Sequence, residues 1–404
     1  MGNTNLTIDM ITRAALEIAH EKCTFIGSIN RQYDSSFAQN GAKQGSSLRI
    51  REPNQFTRRQ GSRVMDVQDV TETAQTLTVA TQDGVDMRFN SSELSLDIQD
   101  FSKLYIEPAV SVLVSGIEGD MLSQFTKDIY NQVGTPGTIP GASSDITALG
   151  YARAKLNKGL APKDGMRSVQ MDSITMASIV NGTKSLFQDS TQIKEAFREG
   201  FVSRNSMADW YENERVYSHT NGSSDNAGTV NDTVVSGDTT VTLASMGVSK
   251  TITEGSIITF AGCYAVHPET KQAYSHLQQF VITADADTTA GEAVTVSISP
   301  AIITSGPTQN VSAIPTDGGA ALISGSASTA YSQSIMYHKD AFTFVTADLP
   351  IMDDAAKCVR RTKDGLSLRV WQASDIRNDE LLTRIDILYG GKTIRPAWAT
   401  RITN

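Results

Sequence analysis

The chain has only three cysteines in 404 residues, Cys23, Cys263 and Cys358. Odd in number and far apart, they give no disulfide framework and no CxxC zinc spacing. Buried free thiols in a reducing compartment are the simplest reading. Tryptophan is as scarce, and Trp210, Trp371 and Trp398 have no interleaved basic residues that would make a nucleic-acid groove. They read as core. Positive charge is short as well, 35 Lys and Arg against 44 Asp and Glu, for a net charge of −9. That excludes wrapping nucleic acid as the main task, which needs clustered Lys and Arg. No apolar run approaches a membrane span. Charges interrupt MGNTNLTIDMITRAALEIAHEK before a signal-peptide core can form, and Leu6 stands where a myristoylation signal needs Ser or Thr. The expectation is a chain made in a cytosol, with no membrane partner.

Catalytic motifs are missing too: there is no GxSxG elbow, Walker loop, HExxH or GxGxxG. His20 and Cys23 offer two metal ligands, and two do not make a site. Asp285 and Asp287 flank one alanine in a turn-like stretch, and Asp353 with Asp354 follows Pro350; both read as solvated turns. His338, Lys339 and Asp340 are adjacent, so in a strand they cannot all face one pocket. No catalytic residue, metal or cofactor is expected, and the chain is read as a non-enzyme.

What the chain does have is a middle section of different composition. From Asn221 to Gly325 nine acids face only Lys250 and Lys271, and Thr, Ser, Val and Gly dominate. TVTLAS, SIITFAG, QFVITAD and VTVSISP alternate or run apolar between short turns, which predicts a small β-barrel or sandwich. The flanks read as mixed α and β. Ile8, Ile11, Ala15 and Ile18 predict an amphipathic helix over Thr7–Cys23, followed by an aperiodic polar arm over 24–46. Residues 47–99 read as strands around a polar tip, with Leu48 and Ile50, Leu77 and Val79, Val85, Met87 and Phe89, then Leu94, Leu96 and Ile98 alternating. A long helix runs from Pro108 to Val133, about 39 Å at 1.5 Å per residue, with Ala109, Val112, Leu113, Gly116, Ile117, Met121, Phe125 and Ile129 on one face. Helices are expected over Asp145–Lys158, Met176–Leu186 and Gln192–Glu199, the last capped by Ser190 or Thr191, and a short strand at Val169–Met171. Three strand regions close the chain, with a hairpin turn at Gly390–Gly391. No fixed-period repeat is present.

The run GSIITFAGCYAVHPETKQAYSHLQQFVITA, then SIMYHKDAFTFVTADLP, then LYGGKTIRPAWATRI resembles the major coat proteins of short-tailed phages of the Salmonella-phage P twenty-two type. These share the capsid fold of tailed phages and herpesviruses, the Hong Kong 97 type. The resemblance covers nearly the whole chain and the order of its parts. It implies an α+β tailed-phage capsid fold with an N-terminal arm at 1–46 and an extended loop at 47–99. A peripheral domain with a spine helix would follow at 100–144, then axial-domain parts at 145–220 and 326–404 around an inserted β-barrel domain at 221–325. It further implies a major capsid protein that self-assembles as hexamers and pentamers into an icosahedral virion shell. That shell would enclose double-stranded DNA without sequence-specific binding. Implied partners are a scaffolding protein, a portal and a decoration protein, with synthesis and assembly in the host cytoplasm. In one respect the chain departs from the family: SSDNAGTVNDTVVSGDTTVTL leaves little room for a long charged bridging loop in the barrel, and HPETKQAYSH (267–276) is the other candidate protrusion.

Arg49, Arg51, Arg58, Arg59 and Arg63 crowd the tip of the extended loop. Three readings stand: a solvated hairpin, a DNA contact, or an inter-subunit clamp of guanidinium forks on carboxylates. For the clamp, Glu118, Asp120 and Asp128 on the long helix are the candidate partners. The N-terminal helix has two readings, docking a scaffolding protein or packing on its own subunit. The rival function is a β-rich adhesin or phage receptor-binding protein that uses 221–325 as a binding module.

Overall fold

The computed structural model describes residues 8–31, 46–58, 74–90, 105–142, 147–183, 204–205, 207–351, 357–363, 366–375 and 380–404, with Gly61, Met65, Val67, Arg377 and Asn378 besides. They fall into two compact units, each assembled from separated stretches of chain. The first draws on 1–51, 74–121 and 342–394, the second on 52–73, 122–341 and 395–404.

In the first unit the helix Ile8–Lys22 buries Ile11, Ala15 and Ala19, four apart, together with Leu16. That stripe packs on the strands Lys357–Lys363 and Leu366–Asp375. An extended arm was expected from residue 24, and the structure corrects its first part. Residues 24–28 form a short helix, and Phe25, Ile26 and Ile29 are buried. The Phe25 ring tilts on Phe342 at 6.1 Å, and Asn30 exchanges backbone hydrogen bonds with Phe342 and Phe344. Burial of three large apolar side chains in six residues offsets much of the backbone ordering cost of this docking. The rest of the expected arm, 32–45, lies outside the described residues.

Strand Ser46–Arg51 pairs antiparallel with Ala74–Val79. The alternation read in the sequence sends Ile50, Leu77 and Val79 into a small core with Val345, Leu388 and Ile394. Strand Thr81–Asn90 pairs with Glu380–Thr393, as do Leu366–Asp375 and Phe342–Ala347. The expected strand positions Leu94, Leu96 and Ile98 lie outside the described residues. Glu380–Thr393 runs unbroken through Gly390 and Gly391, so the expected hairpin turn is absent. A Cβ on Gly390 would stand 2.2 Å from the carbonyl oxygen of Thr78. The glycine serves a close backbone approach, not a turn. Within this sheet Arg369 and Asp386 form a buried bidentate pair, with Arg369 Nε 3.0 Å from one carboxylate oxygen and Nη2 on the other.

The long helix is Glu107–Asp128, 22 residues, shorter than the expected Pro108–Val133. It ends where Ile129 N–H bonds back to Thr126 and where Gln132–Val133 joins a sheet, parallel to Arg401 and Ile402. The Gln132 N–H donates to the Gln279 side-chain oxygen at 3.0 Å and so is not available to a further helical turn. Val112 is 68% exposed while Val110, Leu113, Val114, Ile117 and Met121 are buried, so the apolar face is rotated from the expected one.

In the second unit a mixed sheet runs in the order Gln132–Val133, Ala399–Thr403, Ala330–His338, Arg167–Met171, Ala208–Glu212, Arg204–Asn205. Its core gathers Val169, Trp210, Met336 and Ile402 against Leu149, Ala152 and Leu156 of helix Thr147–Lys158, and Met176 and Ile179 of helix Ser173–Thr183. The expected helix Gln192–Glu199, with its cap at Ser190 or Thr191, and the pair Asp353–Asp354 lie outside the described residues. The acid-rich section forms a closed six-stranded barrel ordered Thr240–Ala244, Val294–Ser299, Ala273–Ile282, Ile257–Val266, Ala320–Ile323, Ala227–Val230. Its interior is filled by Val241, Ile258, Phe260, Phe280, Val296 and their neighbours. Of the segment read as a candidate protrusion, 267–272 form the turn and 273–276 begin strand Ala273–Ile282. His267 Nδ1 accepts the backbone N–H groups of Glu269 at 3.1 Å and Thr270 at 3.2 Å, folding the connection between two long barrel strands.

Candidate assembly surface

Strand alternation turns Arg49 and Arg51 outward, opposite the buried Ile50, and Arg58 is exposed in the segment that follows. Arg59 and Arg63 lie outside the described residues. The same loop holds apolar side chains in solvent: Phe56 is 59% exposed, Met65 83% and Val67 77%. Free energy is lost while such groups face water and regained when a surface covers them.

The three helix acids do not form one patch. Glu118 is fully buried. Its carboxylate accepts the backbone N–H of Phe25 at 2.8 Å and of Ile26 at 3.4 Å, holding the first turn of the short helix Thr24–Ser28. This corrects the expectation of Glu118 as a partner for a neighbour's arginine: its place on the helix looked polar, but the docked N-terminal segment covers it. Asp120 is exposed. The Tyr389 hydroxyl donates to Asp83 at 2.8 Å and reaches Asp120 at 3.4 Å. Burial, then the bond to Asp83, pushes the Tyr389 hydroxyl pKa well up. Asp128 is half-buried, and its charge favours the charged form of Arg401. Burial pulls Arg401 down to about 9, while its guanidinium donates to the carbonyls of Gly255 at 2.6 Å and Lys127 at 3.1 Å.

The residues weighed for catalysis are held in structural bonds. His338 is buried, with Nε2 3.1 Å from both carboxylate oxygens of Asp164 and Nδ1 accepting the Asp340 backbone N–H at 3.2 Å. The Met166 backbone N–H, and secondarily His338, hold Asp164 below the usual carboxylate range. Asp285 accepts the Glu254 N–H at 2.7 Å, and Asp287 pairs with Thr251 in a two-residue ladder. Among the described residues no group of three or more His, Cys, Asp or Glu is placed to hold a metal, and no helix is long and apolar enough to cross a membrane. The sequence reading missed Lys155, Lys158 and His276, which meet in the second unit from segments more than a hundred residues apart.

A family model described as P22 coat protein, gene protein 5, matches residues 42–400. Among solved structures, a chain from Mycobacterium phage Che8 superposes with a TM-score of 0.50 at 10% identity, covering 94% of this chain and 90% of that one. The capsid of cyanophage P-SCSP1u gives 0.42 at 9% identity, covering 90% and 84%. The mature capsid of bacteriophage PhiM1 gives 0.39 at 8% identity, covering 89% and 82%. No curated protein sequence matches. The arginine-bearing loop, the long helix and the closed barrel thus occur in a chain that one family model spans almost from end to end. The chain belongs to the P22 coat protein family and is a tailed-phage major capsid protein with the capsid fold, a virion component that builds a shell from copies of itself.

Proposed function

We propose that the chain closes into an icosahedral shell of hexamers and pentamers around packaged double-stranded DNA, in a purely structural role. The observation that carries the mechanism is the loop with Phe56, Met65 and Val67 in solvent and Arg58 exposed in the same stretch of chain. Covering it with a second copy buries apolar area and brings guanidinium groups to carboxylates. Arg49, Arg51 and Arg58, with Arg59 and Arg63, form the clamp in this reading. With Glu118 committed internally, Asp120 is the helix acid best exposed to receive it. The family match sets the adhesin alternative aside.

The layout proposed with it is an arm at 1–46, an extended loop at 47–99 and a peripheral domain at 100–144. Axial parts at 145–220 and 326–404 flank an inserted barrel domain at 221–325. Synthesis in the host cytoplasm, a scaffolding protein, a portal and a decoration protein belong to the same reading. The net charge of −9 suits a wall that encloses DNA without gripping it. The test is sedimentation of assembled particles against salt, with Arg58→Glu alone and combined with Asp120→Arg. Salt should loosen the particles, and the charge swap should restore what Arg58→Glu loses. No rescue, with no salt dependence, ends the clamp.

A further inference from the structure

Helix Thr147–Lys158 and barrel strand Ala273–Ile282 bring three basic side chains together within the second unit. Lys155 and Lys158 lie three apart on one helix face and are half-buried. Lys158 Nζ stands 3.2 Å from His276 Nδ1 and 4.8 Å from the centre of the Tyr274 ring. Lys155 Nζ donates to Gln279 Oε1 at 3.0 Å. An ammonium can only donate, so His276 Nδ1 is the acceptor and its Nε2–H is a further donor. With Tyr130, Asn131 and Asn310, these three line a recess of 190 Å³. Among the described residues no aspartate or glutamate lines it. The charge is correspondingly uncompensated: burial, then Lys158, pulls Lys155 down to about 8, and burial, then both lysines, pulls His276 down to about 4. The helix's C-terminal carbonyls favour two lysines in its last turn. They do not account for a histidine brought from a strand 118 residues away.

We propose that this recess is an oxyanion site, which takes a small phosphate- or carboxylate-type group against Lys155, Lys158 and His276. Donors from three side chains converge without an anionic acceptor, and an oxyanion supplies charge-assisted bonds to each. The volume is below the roughly 300–1,000 Å³ of pockets for drug-sized ligands, which fits a small group. Free phosphate and a carboxylate side chain of a second copy share this chemistry.

The test follows the His276 ring by NMR in the full-length unassembled chain between about pH 5 and 8, assigned with His276→Gln. It is run in chloride and in inorganic phosphate at matched ionic strength. In chloride the ring stays neutral across the range. Phosphate raises the midpoint by about 1–3 units, the usual effect of an adjacent opposite charge. Lys155→Gln and Lys158→Gln together abolish the phosphate response, and Arg153→Gln, on the exposed side of the same helix, keeps it. A second arm reads the ring by solid-state NMR in particles assembled in chloride alone. A midpoint raised there, with none raised by phosphate in the free chain, assigns the anion to a carboxylate of a neighbouring copy. The proposal is overturned by a midpoint that neither phosphate nor assembly moves, or by a phosphate response that survives in the double lysine variant. The free-chain arm does not depend on shell closure.

Discussion

Replacing Glu118 by alanine should loosen the N-terminal segment of the subunit, not the contacts between subunits. The carboxylate is 0% exposed and accepts from Phe25 N–H at 2.8 Å and from Ile26 N–H at 3.4 Å. A hydrogen bond to a charged group contributes about 1.5–3 kcal/mol, and a buried donor left unpaired costs about 1–3 kcal/mol. The longer contact is weak, and removing the carboxylate relieves its own desolvation. The Phe25 bond therefore sets the scale, about 2–3 kcal/mol for Glu118→Ala. Glu118→Gln keeps a neutral acceptor and should lose about 1 kcal/mol. What comes loose is the docked group of Phe25, Ile26 and Ile29. Hydrogen exchange on the unassembled chain reads this directly. Amides of residues 24–30 should exchange roughly 30- to 150-fold faster in Glu118→Ala, with Glu118→Gln between it and the parent. Unchanged protection there, with a selective loss of particle formation, would refute the reasoning, because a glutamate facing a neighbour behaves that way.

Removing one partner of the buried Arg369–Asp386 pair should cost far more than removing one of an exposed pair in the same unit. Asp386→Ala should lose about 3–5 kcal/mol in denaturant unfolding, and Arg384→Gln, which breaks the exposed bond to Asp86, under about 1 kcal/mol. Gly390→Ala forces a Cβ to 2.2 Å from the Thr78 carbonyl oxygen, and overpacking of about 1–3 kcal/mol should lower the melting temperature. His219 is held down to about 4, by burial first and then by the charges of Arg401 and Lys127. The unfolded chain therefore binds its proton first, near pH 6.5. The contribution is complete above that pH and is lost on acidification toward about 4, on the order of 3 kcal/mol in all. A melting temperature with the same pH profile in His219→Gln as in the parent would contradict this.

The parts legible in the sequence were those where one periodicity acts alone. Val241 and Val296 alternate with polar neighbours, Ile258 and Phe280 stand in short apolar runs, and all four became barrel interior. The closing strands, Ala227–Val230 and Ala320–Ile323, are four residues each, too short for a pattern, and only the barrel's other edges make them strands. Strand Lys357–Lys363 carries four charged residues in seven and is fixed by pairing with Leu366–Asp375. Gly390 showed that a glycine pair permits a turn or a close crossing, and only the neighbouring strand decides which. For the candidate surface, the outward direction of Arg49 and Arg51 followed from alternation. The burial of Glu118 depended on a segment 93 residues away in sequence, which no local pattern encodes.

The most direct test of shell building is negative-stain electron microscopy of the purified chain, paired with size-exclusion chromatography across a concentration series. Closed shells, curved sheets or isolated hexamers and pentamers that grow with concentration are the expected result. A chain that stays a monomer or a compact trimer at every concentration, with scaffolding protein supplied, would contradict it.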